Sequence, residues 1–116
     1  MDTKERICQT ETCPVTRTVQ VMGGRWKPIV LYYLAGRPRR FNELRRLIPE
    51  VTQRMLTQHL RQLEADGVVH RDVKAQVPPH VEYSLTEMGR SLMPILEGMA
   101  EWGEAHPGSE AARRAS

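Results

Sequence analysis

Near the middle of the chain, two short amphipathic segments follow each other with one turn between them, and this pair constrains the fold most. One face of the first segment consists of Phe41, Leu44 and Ile48, and one face of the second consists of Leu56, Leu60 and Leu63. Apolar residues at intervals of three and four are typical of helices with one buried face. Pro49 ends the first helix, and Thr52 is a suitable N-cap for the second, predicted over residues 52–66. The pattern therefore predicts a helix, a short turn and a second helix.

Further helices are predicted before this pair. Pro14 and Pro28 each suit the first position of a helix, and Gly23 and Gly36 follow the two apolar runs as stop signals. The run IVLYYLA after Pro28 is apolar on all sides, so we expect its helix to lie at the centre of the core.

The segments VVHRDVK and HVEYSL follow the pair, with a proline-containing tip between them. In the second segment, Val81, Tyr83 and Leu85 alternate with polar residues, as expected of a half-buried strand, so the two segments predict a β-hairpin. Thr86 can cap one last helix, which we expect Pro94 to bend. The expected fold class is mainly α with a small β-hairpin wing, that is, a winged helix-turn-helix.

A chain of 116 residues with ordinary shares of charged and apolar residues is expected to form one domain. We assign this domain to residues 13–106. Both termini are polar and lack periodicity, so we expect a flexible arm over 1–12 and a disordered tail over 107–116. Because there is neither an uncharged run of about 18 residues nor a secretory signal, we expect a cytoplasmic protein that does not enter a membrane.

Positive charge is concentrated between Arg37 and Arg61, where seven arginines accompany two glutamates, although the whole chain carries only +3. Opposite the leucine stripe, the second helix of the pair presents Arg54, Gln58 and Arg61, with Thr57 flanking them and Gln53 at the helix start. These five side chains can read base edges in the DNA major groove. Positions suited to the DNA backbone are Arg39, Arg40, Arg45, Arg46 and Thr52. A merely solvated face is the alternative. The choice of Arg and Gln, the basic preceding helix and the following hairpin favour double-stranded DNA.

The chain resembles the HxlR-type winged helix-turn-helix regulators, within the broader MarR-like group, along nearly all of its folded part. The resemblance is carried by GRWKP, RFNEL, the leucine-rich helix, LEADG and VEYSLTEMG. It implies a transcription regulator, which we expect to be a repressor, and a homodimer formed by the first and last helices. It also implies a wing on the DNA backbone or minor groove, where we expect contacts from Arg71, Lys74 and His80. Lys74 departs from the family, in which an aromatic residue is more common there.

The last helix carries more apolar surface than a small monomer can readily hide, and this also favours a dimer. The residues expected at the interface are Val15, Val19, Leu92, Ile95, Leu96, Met99 and Trp102. The alternative is that this stripe closes the core of one protomer. A two-fold dimer would place its half-sites about 34 Å apart on a pseudo-palindromic operator.

Cys13 directly precedes the first helix, where backbone amides and the helix dipole stabilise a thiolate. Several members of the family that the chain resembles sense oxidants, quinones or aldehydes through a cysteine in the matching CPV motif. Cys13 is therefore a candidate redox sensor, and Cys8 on the arm could resolve its sulfenic acid or pair across the dimer. The alternative is a structural cysteine without a sensing role.

Other functional classes fit the sequence less well. An enzyme with Cys13 as nucleophile lacks an oriented His or acid in the pattern. A protein-interaction module would not need the basic face, and an RNA-binding protein would need an aromatic platform. The histidines are scattered, so we expect no metal site and no cofactor, and we place His59 at the edge of the leucine stripe. Aromatic residues that could line a ligand pocket, but that we interpret as packing residues, are Trp26, Tyr32 and Tyr33.

Overall fold

The computed structural model describes residues 13–108, so the predicted arm with Cys8 and most of the predicted tail lie outside the described residues. The helices are α1 (Pro14–Met22), α2 (Lys27–Gly36), α3 (Phe41–Leu47), α4 (Gln53–Ala65), α5 (Glu87–Arg90) and α6 (Met93–Ala105). The strands are β1 (Arg39–Arg40), β2 (Val69–Lys74) and β3 (His80–Leu85). The predicted class, mainly α with a small sheet, is confirmed. No helix within residues 13–108 has the length and apolarity to cross a bilayer.

The predicted helix pair is present as α3 and α4. The Thr52 hydroxyl oxygen caps α4 by accepting a hydrogen bond from the backbone N–H of Met55 at 3.1 Å. Gly67 follows α4 with a φ of +82°, a left-handed conformation that glycine adopts without steric cost. The side chains of the stripe on α4 are fully buried: Leu56, Leu60 and Leu63.

The centre of the core is α2, as its apolar run predicts. Val30, Leu31 and Leu34 are buried on this helix, which packs against α1, α6 and β3. Helix α4 belongs to the same hydrophobic cluster and also contacts β2. Because this packing holds the leucine stripe inward, the opposite face of α4 is left on the surface.

The sheet is antiparallel, with the strand order β1–β3–β2. Strands β2 and β3 pair along their whole length, with Val69 opposite Leu85, which confirms the predicted hairpin. No strand is predicted between α2 and α3, but β1 pairs with β3 and places Arg39 opposite Tyr83. Two residues are too few to show the alternation of a strand, so no local pattern could identify β1.

The prediction of one bent helix after Thr86 is wrong. Thr86 does cap α5, because its hydroxyl oxygen accepts the backbone N–H of Gly89 at 3.0 Å. However, α5 ends at Arg90 and a new helix begins at Met93. Pro94 stands in the first turn of α6, where its missing N–H would have no partner within the helix. Pro94 therefore starts a helix instead of bending one.

Candidate DNA interface

The exposed face of α4 carries the side chains predicted to read bases. At about 100° per residue, Arg54 and Gln58 point nearly opposite the leucine stripe, and both are exposed. Within residues 13–108, neither side chain forms a hydrogen bond or an ion pair. Gln53 is exposed in the first turn of the same helix. The outermost part of α4 thus presents donors and acceptors that no other residue between 13 and 108 uses.

Thr57 and Arg61 differ from these residues. The Thr57 hydroxyl donates a hydrogen bond to the backbone carbonyl of Gln53 at 2.8 Å, so its only donor is already used. Arg61 is exposed, but it lies at the edge of a cleft between α4 and the wing, the hairpin of β2 and β3. Of the five predicted readers, Arg54 and Gln58 therefore point outward, Gln53 lies in the first turn, and Thr57 and Arg61 border this wing cleft.

The wing cleft has a volume of about 400 Å³. It is lined by Thr57, Arg61, Glu64, Arg71 and Tyr83. Tyr83 was predicted only as an inward residue of a strand, and Glu64 was not predicted to belong to any site. The spacing of Thr57, Arg61 and Glu64 predicts that they lie on one side of a helix. The sequence does not predict that β2 and β3 lie opposite that side.

The cations of α3 lie beside α4 on the surface. Arg45 and Arg46 are exposed and have no ion pair with any described residue, and Arg40 is also exposed directly before the helix. Thr52 is exposed where α4 begins, and the backbone amides of that first turn form an anion-binding helix end. These groups could contact phosphates on one side of α4.

Arg39 is directed inward, although it was predicted to contact the DNA backbone. Its Nε donates to the backbone carbonyl of Tyr33 at 3.0 Å, and its guanidinium lies 5.8 Å from the centre of the Tyr33 ring. Only 17% of the side chain is exposed, and Glu43 lies 4.0 Å away. This arginine therefore joins α2, β1 and α3.

Glu43 organises the basic segment before α3. Its carboxylate accepts the backbone N–H of Arg40 at 3.2 Å and pairs with the guanidinium of Arg37. The Arg40 hydrogen bond, followed by the Arg37 contact, lowers the pKa of Glu43 below its ordinary value. Glu43 thus remains ionised and neutralises part of the positive charge of this segment.

Polar and charged side chains on the outer face of the wing contact each other. The Lys74 ammonium lies 2.7 Å from the Asp72 carboxylate, which raises the pKa of Lys74 and lowers that of Asp72. The ring of His80 lies 3.0 Å from Glu82, and the side chain of Gln76 contacts its second nitrogen at 2.9 Å. Two of the three side chains predicted to contact DNA from the wing, Lys74 and His80, thus have internal partners, whereas the side chain of Arg71 has none among the described residues.

Apolar side chains remain exposed on α1 and α6. These are Val15, Val19, Ile95, Met99 and Trp102, of which Trp102 is the most exposed at 66%. The Trp102 ring stacks on His106 with 4.4 Å between the ring centres. Of the other predicted interface residues, Leu96 is buried within the protomer and Leu92 is half-buried against the same core. These two leucines therefore help to close the protomer.

The aromatic residues near α2 are distributed between the core and the surface. Trp26 is buried and Tyr33 packs against the core, as expected of packing residues. Tyr32 is exposed beside an apolar groove of about 390 Å³ between α2 and α6. This groove adjoins the exposed apolar side chains of α6.

Cys13 occupies the N-cap position of α1, as its place before Pro14 predicts. Its carbonyl oxygen accepts the backbone N–H of Arg17 at 2.9 Å. The residue is only 3% exposed, a degree of burial that the polar flanking sequence did not indicate. Burial of this degree limits the access of an oxidant in solution to the sulfur.

The sequence pattern of the HxlR-like helix-turn-helix family matches residues 21–111, which include α3, α4 and the wing. The chain belongs to this family. It is thus an HxlR-like transcription regulator, a DNA-binding protein and not an enzyme. The match begins after Cys13, so it carries no information on this cysteine.

Several relatives align along most of the chain. The HTH-type transcriptional regulator YdeP of Bacillus subtilis is 55% identical over 109 residues, covering 90% of this chain and 85% of YdeP. The redox regulator HypR in its reduced form is 58% identical with a TM-score of 0.78, covering 81% of this chain and 93% of HypR. The reduced form of the transcriptional regulator YodB of B. subtilis is 33% identical with a TM-score of 0.73, covering 84% of this chain and 98% of YodB.

Proposed function

We propose that this HxlR-like protein binds a pseudo-palindromic operator as a homodimer, with one α4 in each of two successive major grooves. The observation that carries the proposal is the outward face of α4, where Arg54 and Gln58 have no partner among the described residues. Arginine can bind the O6 and N7 atoms of guanine, and glutamine can bind N6 and N7 of adenine. Gln53 is a further candidate reader at the start of the helix.

The contacts with the DNA backbone are assigned to cations that form no ion pair with another residue in the part of the chain that the structure describes. On the α3 side these are Arg40, Arg45 and Arg46, together with the backbone amides that follow Thr52. On the wing side, Arg71 has this role. Arg39, Lys74 and His80 have internal partners, so we expect them to contribute less.

The proposed dimer covers the exposed apolar side chains of α1 and α6. Exposed large apolar side chains are typical of an interface, and Trp102 would be its largest anchor. Repression is the favoured mode of action. Blocking a promoter requires operator binding by the proposed dimer, to which α4 and the helices α1 and α6 would contribute.

Operator binding can be tested after the preferred duplex is selected from a random-sequence DNA library with the wild-type protein. Arg54→Ala should weaken binding to this duplex by about 1–3 kcal/mol in fluorescence anisotropy and relax the preference at one base position per half-site. Arg90→Ala is the matched control, because it removes the same charge from α5. Unchanged affinity and base preference for Arg54→Ala would contradict the reading role of α4.

We further propose that oxidation of Cys13 regulates DNA binding. The support is the similarity to HypR, for which reduced and oxidised forms are both known, at 58% identity. A peroxide would convert the Cys13 thiol to a sulfenic acid and release water. Condensation with the Cys8 thiol would then form a disulfide and release a second water. Quinones or aldehydes would instead add to the Cys13 thiol.

The thiol proposal predicts that Cys13→Ser binds the selected duplex as wild type does but no longer responds to hydrogen peroxide. Cys8→Ser should still form the sulfenic acid without the disulfide, which mass spectrometry under non-reducing conditions distinguishes. If peroxide leaves the DNA affinity of the wild-type protein unchanged, the redox proposal fails while the DNA-binding proposal stands.

A further inference from the structure

We infer that the wing cleft holds one phosphodiester group of the DNA backbone, and that Arg61 binds this group instead of reading a base. The inference rests on the proposed operator binding and changes the role of one of its residues. Its starting point is the polar cleft of about 400 Å³ in which side chains of α4, β2 and β3 converge.

Arg61 points in nearly the same direction as Arg54, about 20° away around α4, but it lies two turns nearer the C-terminal end, where it lines the cleft. Thr57, Arg61 and Glu64 recur at intervals of four and three residues, so they lie within about 60° of each other around the helix. Gln58 lies about 100° from Thr57, on the side away from the cleft. Arg61 is therefore distinguished from Arg54 by its place along α4 beside the cleft, not by the direction of its side chain.

The opposite wall of the cleft comes from the wing. Arg71 and Tyr83 are directly paired across β2 and β3, and paired residues project from the same face of a sheet. The Tyr83 ring packs against the core, which fixes the position from which its hydroxyl can donate. Arg61 and Arg71 thus stand on different elements with the cleft between them.

The charges of the cleft favour an anion. Among the described residues, the side chains of Arg61 and Arg71 and the hydroxyl of Tyr83 have no hydrogen-bond or ion-pair partner. Two guanidinium groups and a phenol are donors suited to phosphate oxygens, and arginine binds them in a bidentate manner. Glu64 carries the opposing charge and leaves the cleft with a formal charge of +1. We expect Glu64 to limit how tightly the cleft holds a phosphate.

The test compares the selected duplex with a scrambled duplex of equal length, using the full-length dimer. Arg61→Ala and Arg71→Ala should each weaken binding to both duplexes by about tenfold or more, since each removes charge-assisted hydrogen bonds. The slope of log affinity against log salt should become shallower by about 0.9 for each phosphate that the variant no longer neutralises. Tyr83→Phe should cost a few-fold, and Glu64→Gln should strengthen binding to both duplexes.

Lys74→Ala is the matched control, because Lys74 is paired with Asp72 and projects from the opposite face of the wing to Arg71. It should change affinity less than Arg71→Ala does. Thermal melting of each variant shows whether it remains folded.

Duplexes with a single neutral methylphosphonate locate the contact. One position per half-site should weaken wild-type binding but not that of Arg61→Ala or Arg71→Ala. A changed base preference in Arg61→Ala would overturn the inference, and so would an unchanged affinity and salt slope in Arg71→Ala. Both results leave operator binding intact, whereas a wild-type protein that binds no duplex would overturn the proposed function itself.

Discussion

Gly89 is a position where the structure leaves no room for a side chain, and Gly89→Ala is expected to destabilise the protein. A Cβ atom at this position would lie 2.1 Å from the carbonyl oxygen of Val68 and 3.2 Å from Cδ2 of Leu85. Real Cβ contacts essentially never fall below 3.0 Å. Because the nearest atom belongs to the backbone, α5 must move away from the chain that leads into β2.

The loss of stability can be estimated from the hydrogen bonds that this movement strains. The Val68 carbonyl accepts the backbone N–H of Thr86 at 3.1 Å, and the Thr86 hydroxyl accepts from Gly89 and donates to the Gly67 carbonyl. Overpacking costs about 1–3 kcal/mol, and a weakened helix cap costs about 1 kcal/mol. The higher helix propensity of Ala relative to Gly offsets about 0.5–1 kcal/mol of this loss. We therefore expect the free energy of unfolding to decrease by about 2 kcal/mol.

The assay is urea unfolding followed by circular dichroism at several protein concentrations, since a dimer adds a concentration-dependent contribution to stability. Gly98→Ala in α6 is the matched control, because no atom lies within 4 Å of its added Cβ. This control should gain up to about 1 kcal/mol. If Gly89→Ala were as stable as Gly98→Ala, the steric reasoning would be refuted.

Three further predictions concern α4 and the dimer. Thr52→Ala removes the cap of α4 and should lower the free energy of unfolding by about 1 kcal/mol; a change below a few tenths in the same urea assay would contradict it. Trp102→Glu should shift sedimentation velocity profiles from dimer to monomer at micromolar concentration, and a persistent dimer would exclude Trp102 from the interface. Burial and, secondly, the charge of Lys27 lower the pKa of His59 below 6.5. The unfolded chain therefore binds the proton more readily, so the free energy of unfolding should decrease as pH falls below about 6.5. His59→Phe should flatten that part of the pH profile, and an unchanged profile would refute this cause.

Local patterns in the sequence predicted the helix pair, its N-cap and the hairpin. These features depend on residues that are close in the chain: Thr52 caps a helix that begins at the next residue, and Leu56, Leu60 and Leu63 recur within two turns. Such spacing determines which face of α4 is buried, so the outward position of Arg54 and Gln58 followed directly from it.

The sequence alone did not separate the cations that have internal partners from those that do not. Arg39 and Arg71 are both arginines in basic surroundings, but only Arg39 is enclosed by α2 and α3. The sequence also did not predict the break between α5 and α6 or the position of Arg61 and Tyr83 in one cleft. The sequence by itself thus determined the DNA-binding helix and the side it exposes, because helical periodicity is a local property. Only the tertiary structure decided which charges remain available on that side, because ion pairs and clefts join residues that are distant in the chain.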